Sequence, residues 1–206
     1  LDIAELKRYQ KENNTLNGYT KAQFIERSAD LLEYECDILI PAALENQITV
    51  LNAPYIKAKL IGEGANGPIT PEASKILAKK GIMIIPDVFL NAGGVTVSYF
   101  EWLKNLSHVS FGRINSRFDS AQLGRMVNII ESHTGKSINL REKQILTTGA
   151  SELDLVRSGL EDTMSSSYEK IRGIYKQKKL DNLRTAAFVY ALSNIGESYQ
   201  ELGVFP

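Results

Sequence analysis

Disulfide chemistry has almost nothing to work with in this chain, because its 206 residues include a single cysteine, Cys36. One thiol excludes an internal disulfide framework and suggests a reducing compartment, although a small buried core residue fits it equally well. Histidine is nearly as scarce: His108 and His133 are the two, and neither has an acidic or cysteine partner at metal-ligand spacing. No metal site is therefore expected, and both read as surface or helix-packing residues. An excess of one charge is also missing, since Lys plus Arg and Asp plus Glu each number 24. With no long basic run, nucleic acid and anionic membrane surfaces are excluded as partners. No apolar run approaches the roughly 20 residues needed to span a bilayer, so a soluble protein is expected. Internal repeats and low-complexity segments are absent. The chain begins at Leu1 rather than at methionine and carries no signal or transit character, so any targeting segment is expected upstream.

Enough residues remain for one large or two small domains with a real core. Asp2 with Glu5 forms a capping-box pattern, and Ile3, Leu6 and Tyr9 keep helical spacing, which predicts a helix ending before Asn13-Asn14. Tyr19 to Asp30 reads as a loop. Cys36 to Ile40 is a short apolar run stopped by Pro41, as suits a strand buried on both faces. Ala58 to Ile61 is a second strand and Ile82 to Ile85 a third. Between the last two, Thr70 as N-cap, Pro71, Glu72 and a terminal Gly81 predict a helix. Such an order is the grammar of a parallel sheet with helices on its faces. Ligands of such sheets collect outside the carboxyl ends of the strands, here Pro41 to Ala43, Glu63 to Asn66 and Asp87 to Gly94.

After Gly94 the strands disappear. Phe100, Leu103, Leu106 and Val109 form a helical stripe. Arg113 to Gly149 is polar, with an amphipathic patch at Leu123, Met126, Val127 and Ile130. Ser151 with Asp154 caps another helix, continuing through Leu160 and Met164 past Ile174. Asp181 is expected to cap the last one, with Gly203 as its stop.

Gly62-Glu63-Gly64-Ala65-Asn66-Gly67 matches the spacing of a dinucleotide-binding fingerprint, with Asp87 about 20 residues further on. The third glycine of that fingerprint belongs inside a helix, however, and here Pro68 follows it while the cap waits until Thr70. A loop that presents the Asn66 amide to a polar ligand is the better reading, and a simple turn at Asn66 stands beside it. Asn91 to Trp102 forms a second chemical corner. Gly93 and Gly94 let backbone approach a bound group, and Ser98 lies one turn on, sharing a helix face with Val95. This corner suits a ligand with a carboxylate and an apolar stem; a glycine C-cap before an ordinary packing helix is the other reading. Ser98 has no candidate base nearby in sequence, so hydrogen bonding suits it better than nucleophilic attack.

These blocks, Cys36 to Ala43, Glu63 to Pro68 leading into Thr70 to Ala73, and Asn91 to Trp102 with His108 to Arg113, resemble the C-terminal part of the hexameric glutamate dehydrogenases of animals and some protists. The resemblance covers nearly the whole chain. It implies an α/β fold class: the C-terminal half of a Rossmann-like NAD(P)-binding domain at 1–93, a connecting helix at 94–112, an antenna at 113–150, and a pivot helix with a C-terminal helix at 151–206. The antenna would return through a strand-like segment, Ile138 to Leu146, and the pivot would run from Ser151 to about Lys178.

The resemblance also implies roles. Ala42 and Ala43 would lie by backbone against the cofactor, NAD or NADP, and Asn66 and Asn91 would hold its nicotinamide end. Val95 would line the substrate, and Ser98 would bind the side-chain carboxylate of L-glutamate. Hydride transfer from the substrate would yield an imine that water converts to 2-oxoglutarate and ammonia. The catalytic lysines and aspartate would precede Leu1, so no catalytic residue is assigned here and the isolated chain is expected to be inactive. A homo-oligomer, a hexamer in the full enzyme, and a mitochondrial matrix location are implied, with a cytoplasmic one as the alternative. Lys104 and Ser110 match positions of the animal ADP site, but Ser166 stands where an arginine is expected and Arg157 where the GTP site has a histidine. Neither nucleotide site is carried over. Two other readings remain: a non-catalytic oligomerisation or regulatory module, and a relative of the branched-chain amino-acid dehydrogenases, which predicts an aliphatic residue where Ser98 stands.

Overall fold

The computed structural model describes residues 1–107, 111–148 and 151–203, with backbone alone for residue 107 and for 111–117. His108, Val109, Ser110 and Gly149 lie outside the described residues. The chain forms two compact units, Leu1–Asp87 and Val88–Pro206.

The first unit opens with α1, Ile3–Asn13, whose N-cap Asp2 accepts the amides of Ala4 and Glu5. Three strands follow: β1 (Ile38–Leu39), β2 (Leu60–Gly62) and β3 (Met83–Ile85), all parallel, in the order β1-β2-β3. Leu39 pairs with Ile61 and Ile61 with Ile84, which fixes the register. Helix α2, Pro71–Lys79, makes the crossover from β2 to β3, with the Thr70 hydroxyl accepting the Ala73 amide at 3.3 Å and Pro71 in its first turn. These local signals place the helix where the sequence predicts it. Ile48, Ile56, Ile61 and Leu77, all essentially unexposed, form the core between sheet and helix. Truncating Leu77 to Ala would cost about 2–5 kcal/mol by lost burial and cavity formation.

One expectation fails in β1. Ile38, its first residue, and Ile40, just past its end, are 60% and 59% exposed, so the strand is not buried on both faces. Among the described residues β1 pairs only with β2, so it is an edge strand, and burial of its outer side chains needs cover that this unit does not supply.

The second unit is helical: α3 (Asp87–Leu90, begun in the first unit), α4 (Ala92–Ser107), α5 (Phe111–Thr134), α6 (Leu140–Thr147), α7 (Glu152–Gln177) and α8 (Leu183–Leu202). Ser151 and Asp154 form a complete capping box at the start of α7. Ile171 of α7 and Leu183, Ala186 and Ala187 of α8 make the buried seam, with Phe89 and Tyr190 against it.

Two local expectations are corrected. Asn182, not Asp181, caps α8, its side-chain oxygen accepting the Thr185 amide at 2.8 Å. The strand-like return at Ile138 to Leu146 is instead mostly α6, capped by Asn139 and composed of good helix formers such as Leu140, Arg141, Glu142 and Lys143. Glu131 ties α5 to α6, accepting the Ile138 amide at 2.8 Å and pairing with Lys143 at 2.7 Å.

Candidate functional site

In the first unit the carboxyl ends of all three strands converge on one loop. Beyond β1 the chain runs through Pro41 to the exposed Ala42 and Ala43. Beyond β2 it runs through Glu63 to Gly67, and Ala65 donates its amide to the Pro41 carbonyl at 2.9 Å. The approach is close: a Cβ on Gly64 would lie 3.0 Å from the Cβ of Ala42 and 3.3 Å from Ile40 Cγ2. Only a residue without a side chain fits there unless its neighbours shift.

Two carboxylates hold this loop. Glu63 is fully buried, and its Oε2 accepts the Asp87 amide at 2.8 Å. Asp87 Oδ2 in turn accepts the Gly67 amide at 2.8 Å. Gly67 has a left-handed φ of 53°, and its carbonyl accepts the Asn46 amide at 2.9 Å. The resemblance to a pyrophosphate loop is thus one of spacing. Gly67 does not enter a helix, its amide is engaged by Asp87, and α2 begins four residues later, at Pro71. What the loop displays is Asn66, exposed at its tip. Ala42, Ala43 and Asn66 therefore lie on strand ends that the hydrogen bonds draw together. Small exposed side chains beside an amide can accept a flat group carrying its own amide.

In the second unit the Asn91 to Trp102 corner differs from a strand followed by a glycine cap. The single turn α3 comes first, then the half-buried Asn91, and Gly93 and Gly94 belong to the first turn of α4. Neither glycine has a positive φ, so neither acts as a left-handed C-cap. A Cβ on Gly93 would lie 3.5 Å from Leu160 of α7, and one on Gly159 of α7 would lie 3.4 Å from the Phe100 ring. One face of α4 therefore rests on α7, with the Lys104–Glu152 ion pair at its far end. Val95, 73% exposed, and Ser98 lie on another face, and the Tyr99 and Trp102 rings meet at a tilt of 31° with centroids 5.8 Å apart. The Ser98 hydroxyl donates to the Gly94 carbonyl at 3.1 Å. Its acceptor capacity stays at the surface, and its proton can be redirected only by giving up the bond to Gly94.

The Glu63–Asp87–Gly67 relay escaped sequence reasoning. A carboxylate directly after a buried strand was its available signal. Among the described residues no group of three or more His, Cys, Asp or Glu side chains could hold a metal ion, and no helix is long and apolar enough to cross a membrane. Of the residues matching the animal ADP site, Lys104 is engaged with Glu152, and Ser110 lies outside the described residues.

The family model for glutamate/leucine/phenylalanine/valine dehydrogenases matches residues 1–155. The chain is 47% identical over 203 residues to the mitochondrial glutamate dehydrogenase of Dictyostelium discoideum, covering 98% of this chain and 40% of that protein. It spans less than half the length of the curated relatives it matches. The crystal structure of glutamate dehydrogenase from Peptoniphilus asaccharolyticus superposes with a TM-score of 0.60 at 27% identity, covering 100% of this chain and 36% of that one. The leucine-bound hetero-hexameric glutamate dehydrogenase of Thermus thermophilus gives 0.64 at 20% identity, over 100% of this chain and 38% of that one, a likeness of fold alone.

Proposed function

Because the chain belongs to the glutamate/leucine/phenylalanine/valine dehydrogenase family, we propose that it supplies the nicotinamide-side and carboxylate-side contacts of an NAD(P)-dependent glutamate dehydrogenase. The single observation that carries this reading is the strand-end loop of the first unit. There Gly64 admits Ala42 at close approach, and two carboxylates fix the turn that displays Asn66. These residues fit the nicotinamide end of a dinucleotide and not its pyrophosphate, since the Gly67 amide is already engaged.

A bound dinucleotide would supply the hydride acceptor for the amino acid, or the donor in the reverse direction. Ala42 and Ala43 offer backbone and small side chains to it, and Asn66 offers an amide that both donates and accepts. Asn91, at the entry to α4, takes the second amide role. Val95 lines the aliphatic part of the substrate. Ser98 donates its hydroxyl to the side-chain carboxylate, exchanging its bond to Gly94 for a charge-assisted one. The oxidised substrate hydrolyses to 2-oxoglutarate and ammonia. None of these residues is assigned proton transfer, which falls to other parts of the enzyme.

In this reading residues 1–93 belong to the cofactor domain, 94–112 connect, 113–150 form the antenna, and 151–206 provide the pivot and the C-terminal helix. A homo-oligomer, hexameric in the full enzyme, is part of this reading, and the mitochondrial location follows the name of the Dictyostelium discoideum relative. ADP or GTP control is not part of the proposal.

The complete natural protein, supplied with L-glutamate and NAD or NADP, should form reduced dinucleotide, 2-oxoglutarate and ammonia in equal amounts. Assembly into an oligomer without any turnover would instead identify a non-catalytic module.

A further inference from the structure

We propose that Glu63 and Asp87 are positioning residues that set the cofactor-facing loop by a two-step carboxylate relay, an inference that rests on the reading of Asn66 as a nicotinamide contact. Glu63 is 0% exposed, and a carboxylate is retained inside a small core only where hydrogen bonds offset its lost hydration. Its Oε2 receives the amide of Asp87, two residues past the end of β3. That bond fixes where the Asp87 side chain begins, and Asp87 Oδ2 then reaches back to the Gly67 amide, one residue beyond Asn66. The relay thus runs from β2 to the end of β3 and returns to the β2 loop. Both bonds join a backbone amide to a carboxyl oxygen at 2.8 Å, within the favourable hydrogen-bond range. They hold Gly67 at its φ of 53°, so the turn that aims Asn66 is set before any ligand arrives. The Ala65 amide, held by Pro41, anchors the other side of Asn66.

The test uses the complete natural protein. Asp87→Ala removes the acceptor for the Gly67 amide, while Asp87→Asn keeps one; Glu63→Gln likewise keeps an acceptor for the Asp87 amide. We expect Asp87→Ala to speed hydrogen exchange of the Gly67 amide in the ligand-free protein. The same variant should weaken NAD(P) binding about tenfold in direct titration, the loss of roughly one hydrogen bond's worth of preorganisation. The KM for glutamate should stay within about twofold, and Asp87→Asn should restore both changed readouts. Should Asp87→Ala not fold, Asp87→Ser, whose hydroxyl is one bond too short to bridge, takes its place. A lower melting temperature with parental dinucleotide affinity would overturn the positioning role, since stability alone would then be at stake. Asn66→Ala separates the two levels. If it weakens dinucleotide binding while Asp87→Ala and Asp87→Ser do not, the relay fails and the cofactor reading stands. If Asn66→Ala binds dinucleotide like the parent, the cofactor reading itself fails and takes the relay with it.

Discussion

Ser98 donates its hydroxyl to the carbonyl of Gly94 at 3.1 Å, one turn back along its own helix. Such back-bonding gives a helix little or nothing, and alanine is the better helix former by about half a kcal/mol. Ser98→Ala should therefore leave the melting temperature unchanged or slightly raised. In the complete enzyme it should raise the KM for L-glutamate by about tenfold to a hundredfold, as expected for the loss of one hydrogen bond to a charged group. Equal KM values in mutant and parent would remove Ser98 from the substrate site.

The start of α8 offers a sharper test of local structure. Asn182 accepts the Thr185 amide, whereas Asp181 makes no such cap. Asn182→Ala should cost about 1 kcal/mol in denaturant unfolding, and Asp181→Ala should stay within about 0.5 kcal/mol. The reverse ranking would restore the cap expected from sequence.

Glu131 gives the α5–α6 turn a pH dependence. Its carboxyl is held below the ordinary range, first by the hydrogen bond from Lys143 and next by the Ile138 amide. A carboxylate depressed in the folded state contributes stability that is present above its unfolded pKa, about 4.3, and is lost as pH falls through the folded value. Hydrogen-exchange protection of Ile138 should thus hold at neutral pH and fall below about pH 4. Glu131→Gln should flatten that dependence, and an unchanged acid profile in the variant would assign the effect to another group.

Close approach at the strand ends can be tested by exchange of bulk. Gly64→Ala places a methyl 3.0 Å from Ala42 Cβ and should cost about 1–3 kcal/mol. Adding Ala42→Gly should recover a large part of that loss, because the two methyls compete for one space. Additive losses in the double mutant would place the strain elsewhere.

How much of this was legible in the sequence depends on how local each signal is. The α2 boundaries followed from Thr70, Pro71 and Gly81, and the α7 start from Ser151 and Asp154, because caps act within one turn. The three parallel strands were legible from their apolar runs, but their ends were not. Strand ends depend on the neighbouring strand's register, so Cys36 to Ile40 shrank to Ile38–Leu39. Cover over Ile38 and Ile40 is likewise a property of what packs on them, not of their own sequence. The return segment at Ile138 was expected as strand-like by resemblance, although Asn139 and the helix formers after it read locally as a capped helix. Asn66, Ala42 and Ala43 emerged as exposed strand-end residues. Glu63 and Asp87 are 24 positions apart and joined by a backbone amide, a contact that no periodicity announces.

The measurement that bears most directly on the account is the ratio of kcat/KM for L-glutamate over L-leucine in the complete natural protein and in its Ser98→Ala variant. The family includes enzymes for both kinds of side chain, so the ratio separates them. The account predicts a parent that strongly favours glutamate and a variant in which the ratio falls about tenfold or more. A parent that favours leucine, or a ratio untouched by the substitution, would contradict it.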